Sequence, residues 1–293
     1  MAQLLKVLLV GRNQATAKAL TELSPNHKYQ FTDTVTNPIW WLFDGEMHMY
    51  AGKQDIGEFD IIITCFREKS ILISKYIATA QPKPRATVVN SRENEYSTSK
   101  QVQYLDLYRA GLSFPKTICA HSVKNLEEIL RGNDRFKFPL IVKSNTDCQG
   151  KDNYLFKSWQ QMANFFAQND AQDYIIQEYI PNSFDYRVFI FGENYCVSKK
   201  VRLAGEGHRN NVALGAVESI VSDLDPVIIK DCFAAVKSAG VSLAGVDVVV
   251  DEQSGKHYIL EVNVNNPGIT LNQNETHEVK VLFKSISQLL ERN

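Results

Sequence analysis

The chain has 293 residues, of which 44% are hydrophobic and 22% charged, and its formal net charge is −1. This composition is that of a globular protein without general attraction to nucleic acid or acidic membranes, and no apolar run approaches the ~20 residues of a membrane-spanning helix. Five scattered cysteines without a Cys-x-x-Cys pair, and a start without a signal-peptide pattern, predict a cytoplasmic protein and argue against a zinc site.

Residues 1–95 are predicted to form a small α/β domain. Apolar runs and helical periodicities alternate there, with strands expected at 4–10, 60–65 and 86–90 and helices at 15–23 and 70–79. This alternation predicts a mostly parallel sheet with right-handed crossovers. The stretch Gly11-Arg12-Asn13 lacks the rest of a GxGxxG fingerprint, so a dinucleotide site is rejected. Trp40, Trp41 and Phe43 are compatible with a core or with a substrate cleft, and the core is favoured.

Two lysines are notable in the next part of the chain. A helix is predicted over 98–110, and Lys100 lies at its start, where the helix dipole disfavours a cation unless an anionic partner is near. A second α/β unit follows from residue 115, with strands at 138–143 and 174–180 and a capped helix starting at Ser158. Lys143 ends the first of these apolar strands, and lysine is rarely found in such a strand without a partner.

Basic and acidic groups alternate in the last third of the chain. Strands are predicted over 185–191 and 195–202, and four basic residues accompany them: Arg187, Lys199, Arg202 and Arg209. A helix over 226–239 and a closing amphipathic helix over 277–290 enclose a hairpin formed by 245–250 and 259–263. A basic cluster beside an acidic hairpin is suited to a nucleoside triphosphate with magnesium. Surface salt bridging is the alternative.

The hairpin carries a candidate metal site. Glu261 and Asn263 are two residues apart, so they point to one face of a strand, and Asp247 on the partner strand can face the same side. Carboxylate and amide oxygens are hard ligands that suit magnesium. A solvated hairpin face is the alternative, but three such groups within Val, Ile and Leu favour the metal.

In order and spacing, these motifs resemble the ATP-grasp superfamily, and most of all the RimK-type ligases that add glutamate to a protein or peptide carboxylate. The resemblance extends from about Lys100 to the C-terminus. It rests on segments 140–143, 149–150, 176–180, 185–187, 209–211, 244–247 and 260–263. It implies an α/β (α+β) ATP-grasp domain over 96–293, with a central lid subdomain at about 113–180 and a C-terminal subdomain at about 181–293. Residues 1–95 would be a pre-ATP-grasp domain.

The resemblance also implies a role for each matching residue. Lys100 and Lys143 would hold ATP phosphates, and Gln177, Glu178, Tyr179 and Ile180 would meet the adenine and ribose. The other implied nucleotide contacts are Asp185, Lys199, Arg209 and Asn211. Asp247, Glu261 and Asn263 would bind two Mg²⁺ ions, with Mn²⁺ as a substitute. Arg187 and Arg209 are the catalytic candidates.

The function implied is an ATP-dependent ligase that joins a carboxylate to an amine through an acylphosphate. The acceptor would be a protein, peptide or small molecule and the amine an amino acid such as glutamate; a homo-oligomer is left open, and neither nucleic acid nor membrane is a partner. One alternative is a nucleotide-binding or regulatory protein of the same fold without turnover. Another is a small amino-acid ligase of the D-alanine–D-alanine type. Two departures from the family pattern are the glycine-poor loop at 146–153 and a longer segment at 263–268.

Overall fold

The computed structural model describes residues 4–12, 14–24, 28–64, 67–79, 86–91, 99–146, 153–202, 217–265, 267–268 and 277–292. In chain order the strands are β1 (Leu5–Val10), β2 (Tyr29–Asp33), β3 (Ile39–Phe43), β4 (Met47–Ala51), β5 (Gln54–Asp55), β6 (Ile61–Thr64), β7 (Thr87–Val89), β8 (Thr117–Ile118), β9 (Leu140–Ser144), β10 (Asn153–Phe156), β11 (Tyr174–Glu178), β12 (Phe184–Phe191), β13 (Asn194–Val201), β14 (Val217–Val221), β15 (Leu243–Val250) and β16 (His257–Asn263). The helices are α1 (Gln14–Leu23), α2 (Arg67–Thr79), α3 (Lys100–Arg109), α4 (Val123–Arg131), α5 (Trp159–Phe166), α6 (Pro226–Ser238) and α7 (His277–Arg292). Across these ranges no helix is long and apolar enough to cross a membrane.

The amino-terminal sheet is parallel, as the alternation of strands and helices predicts, and its strand order is β2-β1-β6-β7. The side chains of residues 7–10 in β1 and of all four residues of β6 are almost fully buried because both faces of this sheet are covered, which explains their Val, Leu and Ile runs. Strand β2 was not predicted, since its sequence Tyr-Gln-Phe-Thr-Asp lacks such a run.

A three-stranded antiparallel sheet, β3-β4-β5, follows β2 and was not predicted. Trp40, Trp41 and Phe43 lie on its edge strand β3 and are 45%, 55% and 66% exposed. The core interpretation of these residues is therefore wrong. The Trp40 ring instead stacks on Tyr50 at 4.3 Å, and its indole N–H donates to the carbonyl of Gly52 at 2.6 Å.

The second sheet is antiparallel, in the order β10-β9-β11-β8. Helices α4 and α5 cover one of its faces, where Leu126 and Met162 are fully buried against Val142 and Ile176. The cap predicted at Ser158 is confirmed, and Ser122 caps α4 in the same way: each hydroxyl accepts from a backbone N–H group in the first turn of its helix. The opposite face carries Lys143 and Gln177, because strand residues alternate between faces.

The third sheet is antiparallel and has the order β14-β13-β12-β15-β16. One of its faces packs against α3 and α6 through residues such as Val188, Ile190 and Val246. On the other face, Phe189 and Phe191 are buried against α7 and the amino-terminal sheet. Arg187 lies two residues before Phe189 on β12 and therefore points to the same face, but it lies outside the apolar cluster.

Candidate functional site

The hairpin β15–β16 brings its polar side chains to one face. Asp247 pairs directly with Glu261, and Gly245 pairs with Asn263, so the three polar side chains form two successive rows. A β-bulge between Asp247 and Val248 shifts the register immediately after the first row. The predicted convergence of Asp247, Glu261 and Asn263 is therefore present.

Asp247 is neutralised by side chains of neighbouring strands. Its Oδ1 accepts from Arg187 Nε at 2.6 Å and from Lys200 Nζ at 3.0 Å. Its Oδ2 accepts from Arg187 Nη2 at 2.6 Å and from Asn263 Nδ2 at 3.0 Å. Burial alone would raise the pKa of Asp247, but Arg187 and Lys200 outweigh it and hold the pKa well below its ordinary value.

Lys200 joins this cluster, whereas Lys199 does not. The two-residue turn between β12 and β13 pairs Asp185 with Lys200, and Lys200 Nζ lies 3.5 Å from Asp185 Oδ1. Burial raises the pKa of Asp185 to about 6, and Lys200 opposes this increase. Lys199 lies on the opposite face, with its Nζ 3.8 Å from the centre of the Phe184 ring. Counting outward from the Gly192-Glu193 turn could have identified Lys200 from the sequence.

Gly245 permits a close backbone contact beside the site. A Cβ at Gly245 would lie 2.2 Å from the carbonyl oxygen of Pro267, and one at Gly268 would lie 2.5 Å from Arg187 Nη1. Gly268 also has a φ of +89°, which disfavours other residues. The Pro267-Gly268 pair therefore packs directly on Gly245 and the Arg187 side chain.

We expect Gly245→Ala to push the Pro267 backbone outward and to destabilise the fold by about 1–3 kcal/mol, as overpacking does. Urea unfolding measures the loss. Gly240→Ala would be a poor control, because the positive φ of Gly240 makes alanine strained there for a different reason. Ala244→Gly, beside Gly245 on β15, serves as the comparison because it removes side-chain volume instead of adding it. Unchanged stability of Gly245→Ala would contradict the close contact.

Lys100 at the start of α3 has the anionic partner that its position predicts. It is 7% exposed, and its Nζ lies 3.6 Å from Glu261 Oε1. Helix α3 thus delivers a cation to the same hairpin row that carries Asp247 and Glu261.

The start of α3 is held in place by Asn145, a residue next to the second sheet. Its side-chain oxygen accepts from the backbone N–H of Gln101 at 3.1 Å and from the Ser99 hydroxyl at 2.9 Å, while its carbonyl accepts from the Lys100 N–H at 2.9 Å. Asn145 follows strand β9, which carries Lys143. The capping residue of α3 is therefore distant in sequence, and no local pattern at 98–110 indicates it.

We expect Asn145→Ala to lower the free energy of unfolding by about 1 kcal/mol, the usual loss for a helix cap. The same variant should bind ATP more weakly, because Lys100 loses its fixed position. Thermal unfolding and nucleotide titration measure the two effects. Asn125→Ala, on α4 and away from the cluster, is the matched control for binding, and equal nucleotide affinity in both variants would argue against a positioning role.

Lys143 faces this cluster from β9. Burial lowers the pKa of Lys143 to about 8, against the opposing influence of Glu261, and Lys100 lowers it further. Asp247 and Asp185 also act on it electrostatically. Lys143 is thus within electrostatic reach of Lys100 on α3 and of the hairpin carboxylates Glu261 and Asp247.

Strand β11 brings Gln177 to the same face as Lys143, since Gln177 pairs with Ile141. Its Nε2 donates to Thr117 Oγ1 at 2.9 Å, whereas its Oε1 is buried and, among the described residues, has no hydrogen-bond partner. Glu178 accepts from the Lys116 N–H and from Lys116 Nζ, both at 2.9 Å. Tyr179 and Ile180 follow at the strand end.

Several predicted site residues lie outside the described ranges. These are Arg209 and Asn211, together with residues 147–152 of the glycine-poor loop. Their assigned roles remain predictions.

The donor set fits Mg²⁺ with one condition. Glu261 and the Asn263 amide oxygen are hard ligands on one face, but the two oxygens of Asp247 already accept four hydrogen bonds. Asp247 would therefore have to release one partner to bind a metal. In the described part of the chain, no group of three or more His, Cys, Asp or Glu residues could hold a metal ion, and the set here has an amide as its third member.

A comparison of the sequence with known families decides the family. The RimK-like ATP-grasp domain matches residues 98–286. The chain belongs to the RimK-like ATP-grasp family. Members of this family are ATP-dependent ligases that form amide bonds and use ATP with Mg²⁺, so the predicted enzyme class is confirmed.

Solved ATP-grasp structures share the fold of the whole chain. The ligase PsnB in complex with a minimal precursor has a TM-score of 0.70 at 16% identity, covering 99% of each chain. The macrocyclase MdnC of Microcystis aeruginosa, bound to the precursor peptide MdnA, has a TM-score of 0.66 at 17% identity, covering 99% of this chain and 100% of its own. The D-Ala:D-Ser ligase VanG of Enterococcus faecalis has a TM-score of 0.65 at 14% identity, covering 98% and 99%. At these identities the likeness shows the fold.

Proposed function

We propose that this RimK-like ATP-grasp protein activates a carboxylate of a peptide or protein and joins it to an amine. The observation that carries the proposal is the cluster in which Lys100, Lys143 and Arg187 surround the Asp247–Glu261 row. The similar structure of MdnC contains a precursor peptide and that of PsnB a minimal precursor, which favours a peptide acceptor over a free amino acid. VanG supports the small amino-acid ligase as the second candidate.

ATP is proposed to bind between the second sheet, which carries Lys143, and the third sheet, which carries Asp247 and Glu261. Lys143 and Lys100 would contact its phosphates, since both are cations near Glu261. The buried Oε1 of Gln177, which has no donor among the described residues, suits the exocyclic amine of adenine, because a buried acceptor is unfavourable until a donor binds. Tyr179 and Ile180 would line the base through their backbone. Glu178 would reach the ribose only by giving up a contact with Lys116.

The remaining proposed contacts differ in their support. Asp185 is close to the cluster through Lys200, whereas Lys199 faces away from it, so a nucleotide contact of Lys199 has less support. Arg209 and Asn211 keep their proposed phosphate contacts from the sequence resemblance alone. The division into domains 1–95 and 96–293 is likewise proposed, with support from the separate amino-terminal sheet.

Asp247, Glu261 and Asn263 would hold Mg²⁺, and we propose two ions. When bound, the metal neutralises charge on the phosphates of ATP. If one Asp247 oxygen exchanged its hydrogen bond with Arg187 for the metal, a guanidinium N–H of Arg187 would lose its acceptor at the same time. Arg187 could then donate to an oxygen of the substrate.

The proposed chemistry has two steps. A carboxylate oxygen attacks the γ-phosphorus of ATP and the bond to the β-phosphate oxygen breaks, which yields an acylphosphate and ADP. Lys100, Lys143 and Arg187 stabilise the negative charge on the transferred group. An amine then attacks the carbonyl carbon, and loss of phosphate and a proton leaves the amide.

We expect the affinity for metal-free ATP to fall as the pH rises through about 8, where Lys143 loses its charge. The phosphates favour the protonated amine, so the loss occurs above the pKa and not below it. Titrations with ATP in EDTA between pH 6.5 and 9.5 measure the profile. Lys143→Arg should flatten it, because guanidinium stays charged in this range, and the same decline in Lys143→Arg would assign the titration to another group.

Hydroxylamine tests the proposed function. With ATP, Mg²⁺ and a panel of acidic peptides and free amino acids, hydroxylamine should intercept the acylphosphate and give a hydroxamate together with ADP. Glu128→Gln, an exposed change on α4, should retain this activity. Formation of ADP without hydroxamate, across the whole panel, would contradict carboxylate activation. Hydroxamates from free D-alanine alone would select the second candidate.

A further inference from the structure

Arg12 occupies the turn between the first strand and the first helix. It follows β1 by two residues, and Gly11, with a φ of 78°, turns the chain before it. Helix α1 begins at Gln14, so the backbone N–H groups of its first turn lie beside Arg12. A cation next to a helix N-terminus makes this turn favourable for an anion.

The guanidinium of Arg12 has two buried donors without a partner among the residues that the structure describes. Its Nε and Nη2 atoms are buried, and in the described part of the chain neither has a hydrogen-bond partner. Buried donors are nearly always paired in folded proteins, because they lose their hydrogen bonds to water on burial. Unlike Arg187, which forms two bonds with Asp247, Arg12 is left to bind something else.

The sheet topology places Arg12 where ligands bind in open α/β sheets. From β1 the chain passes through α1 to β2 on one side, and β6 and β7 lie on the other side of β1. The strand order therefore reverses between β1 and β6. Ligands of such sheets bind outside the carboxyl ends of the strands at this point, and Arg12 directly follows the carboxyl end of β1.

The same edge of the sheet lies beside the proposed ligase site. Asn90 follows β7, and its side chain donates to the Leu243 carbonyl at 2.7 Å and accepts from the N–H groups of Ser242 and Leu243 at 3.0 Å. Leu243 begins β15 and lies two positions before Gly245, which pairs with Asn263. Arg12 is separated from Asn90 by two strand spacings, about 10 Å.

We propose that Arg12 binds a substrate carboxylate other than the one that is phosphorylated. The inference rests on the proposed ligase function and adds a contact on the substrate side. A planar guanidinium with two adjacent unpaired donors matches the two oxygens of a carboxylate. The substrate class is thus an amino acid or peptide that carries a second, non-reacting carboxylate.

Thermal shift of the full chain without nucleotide tests the proposal with glutarate and L-glutamate as probes. Either should raise the Tm of the wild type by about 2–4 °C, whereas glutaramide and sodium chloride at equal ionic strength should not. Arg12→Met should lose this shift, and without ligand its Tm should be equal to or above that of the wild type because the buried donors are gone. Lys18→Met, which removes an exposed cation from α1, should keep the shift.

An equal shift in Arg12→Met and Lys18→Met, or no shift in the wild type with either probe, would overturn the proposal. If Arg12→Met does not fold, Arg12→Lys decides: a reduced shift supports the proposal and an unchanged one opposes it. An ATP analogue with Mg²⁺ should stabilise wild type and Arg12→Met equally, and a loss confined to the analogue would assign Arg12 to phosphate. Because no turnover is measured, a carboxylate shift that depends on Arg12 would stand even if hydroxamate never forms.

Discussion

Glu261→Gln is expected to lower kcat by at least about 10²-fold, the scale of losing one preorganised electrostatic contact. Glutamine keeps the size of the side chain and one oxygen but removes the charge that would bind Mg²⁺. The fold should be little affected. The Glu261 side chain is 27% exposed and lies 3.6 Å from Lys100, so its ion pair is partly screened and worth at most about 1 kcal/mol.

Steady-state ADP release and urea unfolding measure these two effects. Glu128→Gln removes the same charge from an exposed site on α4 and should change neither. Full activity in Glu261→Gln would contradict the metal assignment. If the free energy of unfolding falls by as much as the activation free energy of turnover rises, Glu261 has a structural role instead.

Asp247→Asn is expected to lower the free energy of unfolding by about 3–5 kcal/mol, the cost of breaking a buried ion pair. The substitution leaves Arg187 and Lys200 buried beside a neutral amide. Because the pKa of Asp247 is lowered in the folded state, its stabilisation is fully present above the unfolded value of about 4 and is lost progressively as the pH falls from there towards the lower pKa of the folded state. The difference between variant and wild type should therefore shrink in acid.

Urea unfolding at pH 7 and at pH 3 measures this difference. Asp223→Asn, an exposed change before α6, is the matched control. The double variant Asp247→Asn/Arg187→Gln should recover part of the loss, because the unpaired guanidinium is removed too. A loss below about 1 kcal/mol at pH 7 would show that the pair behaves like an exposed one.

Strong local patterns predicted much of the fold. The buried runs of β1, β6 and β15, the cap at Ser158 and the start of α6 at Pro226 are all confirmed. The hairpin face with Asp247, Glu261 and Asn263 was also predictable, since a strand period of two fixes which residues share a face.

Features that depend on distant partners were not predictable. Strand β3 is short and exposed, and its aromatic residues are indistinguishable from a core in the sequence. The Arg187–Asp247 pair needs the register between β12 and β15, and the Asn145 cap joins segments more than forty residues apart. Salt bridging by the basic cluster was considered only as a surface arrangement, so the buried neutralisation of Asp247 was not predicted.

Isotope transfer tests the central claim, activation of a carboxylate by phosphorylation, most directly. An acidic peptide that supports ADP release is supplied with ¹⁸O in its carboxylates, in unlabelled water. The attacking carboxylate oxygen becomes the bridge of the acylphosphate and leaves with phosphate when the amine attacks. We therefore expect one ¹⁸O in the phosphate for each ADP formed. Amide formation with unlabelled phosphate would contradict the account.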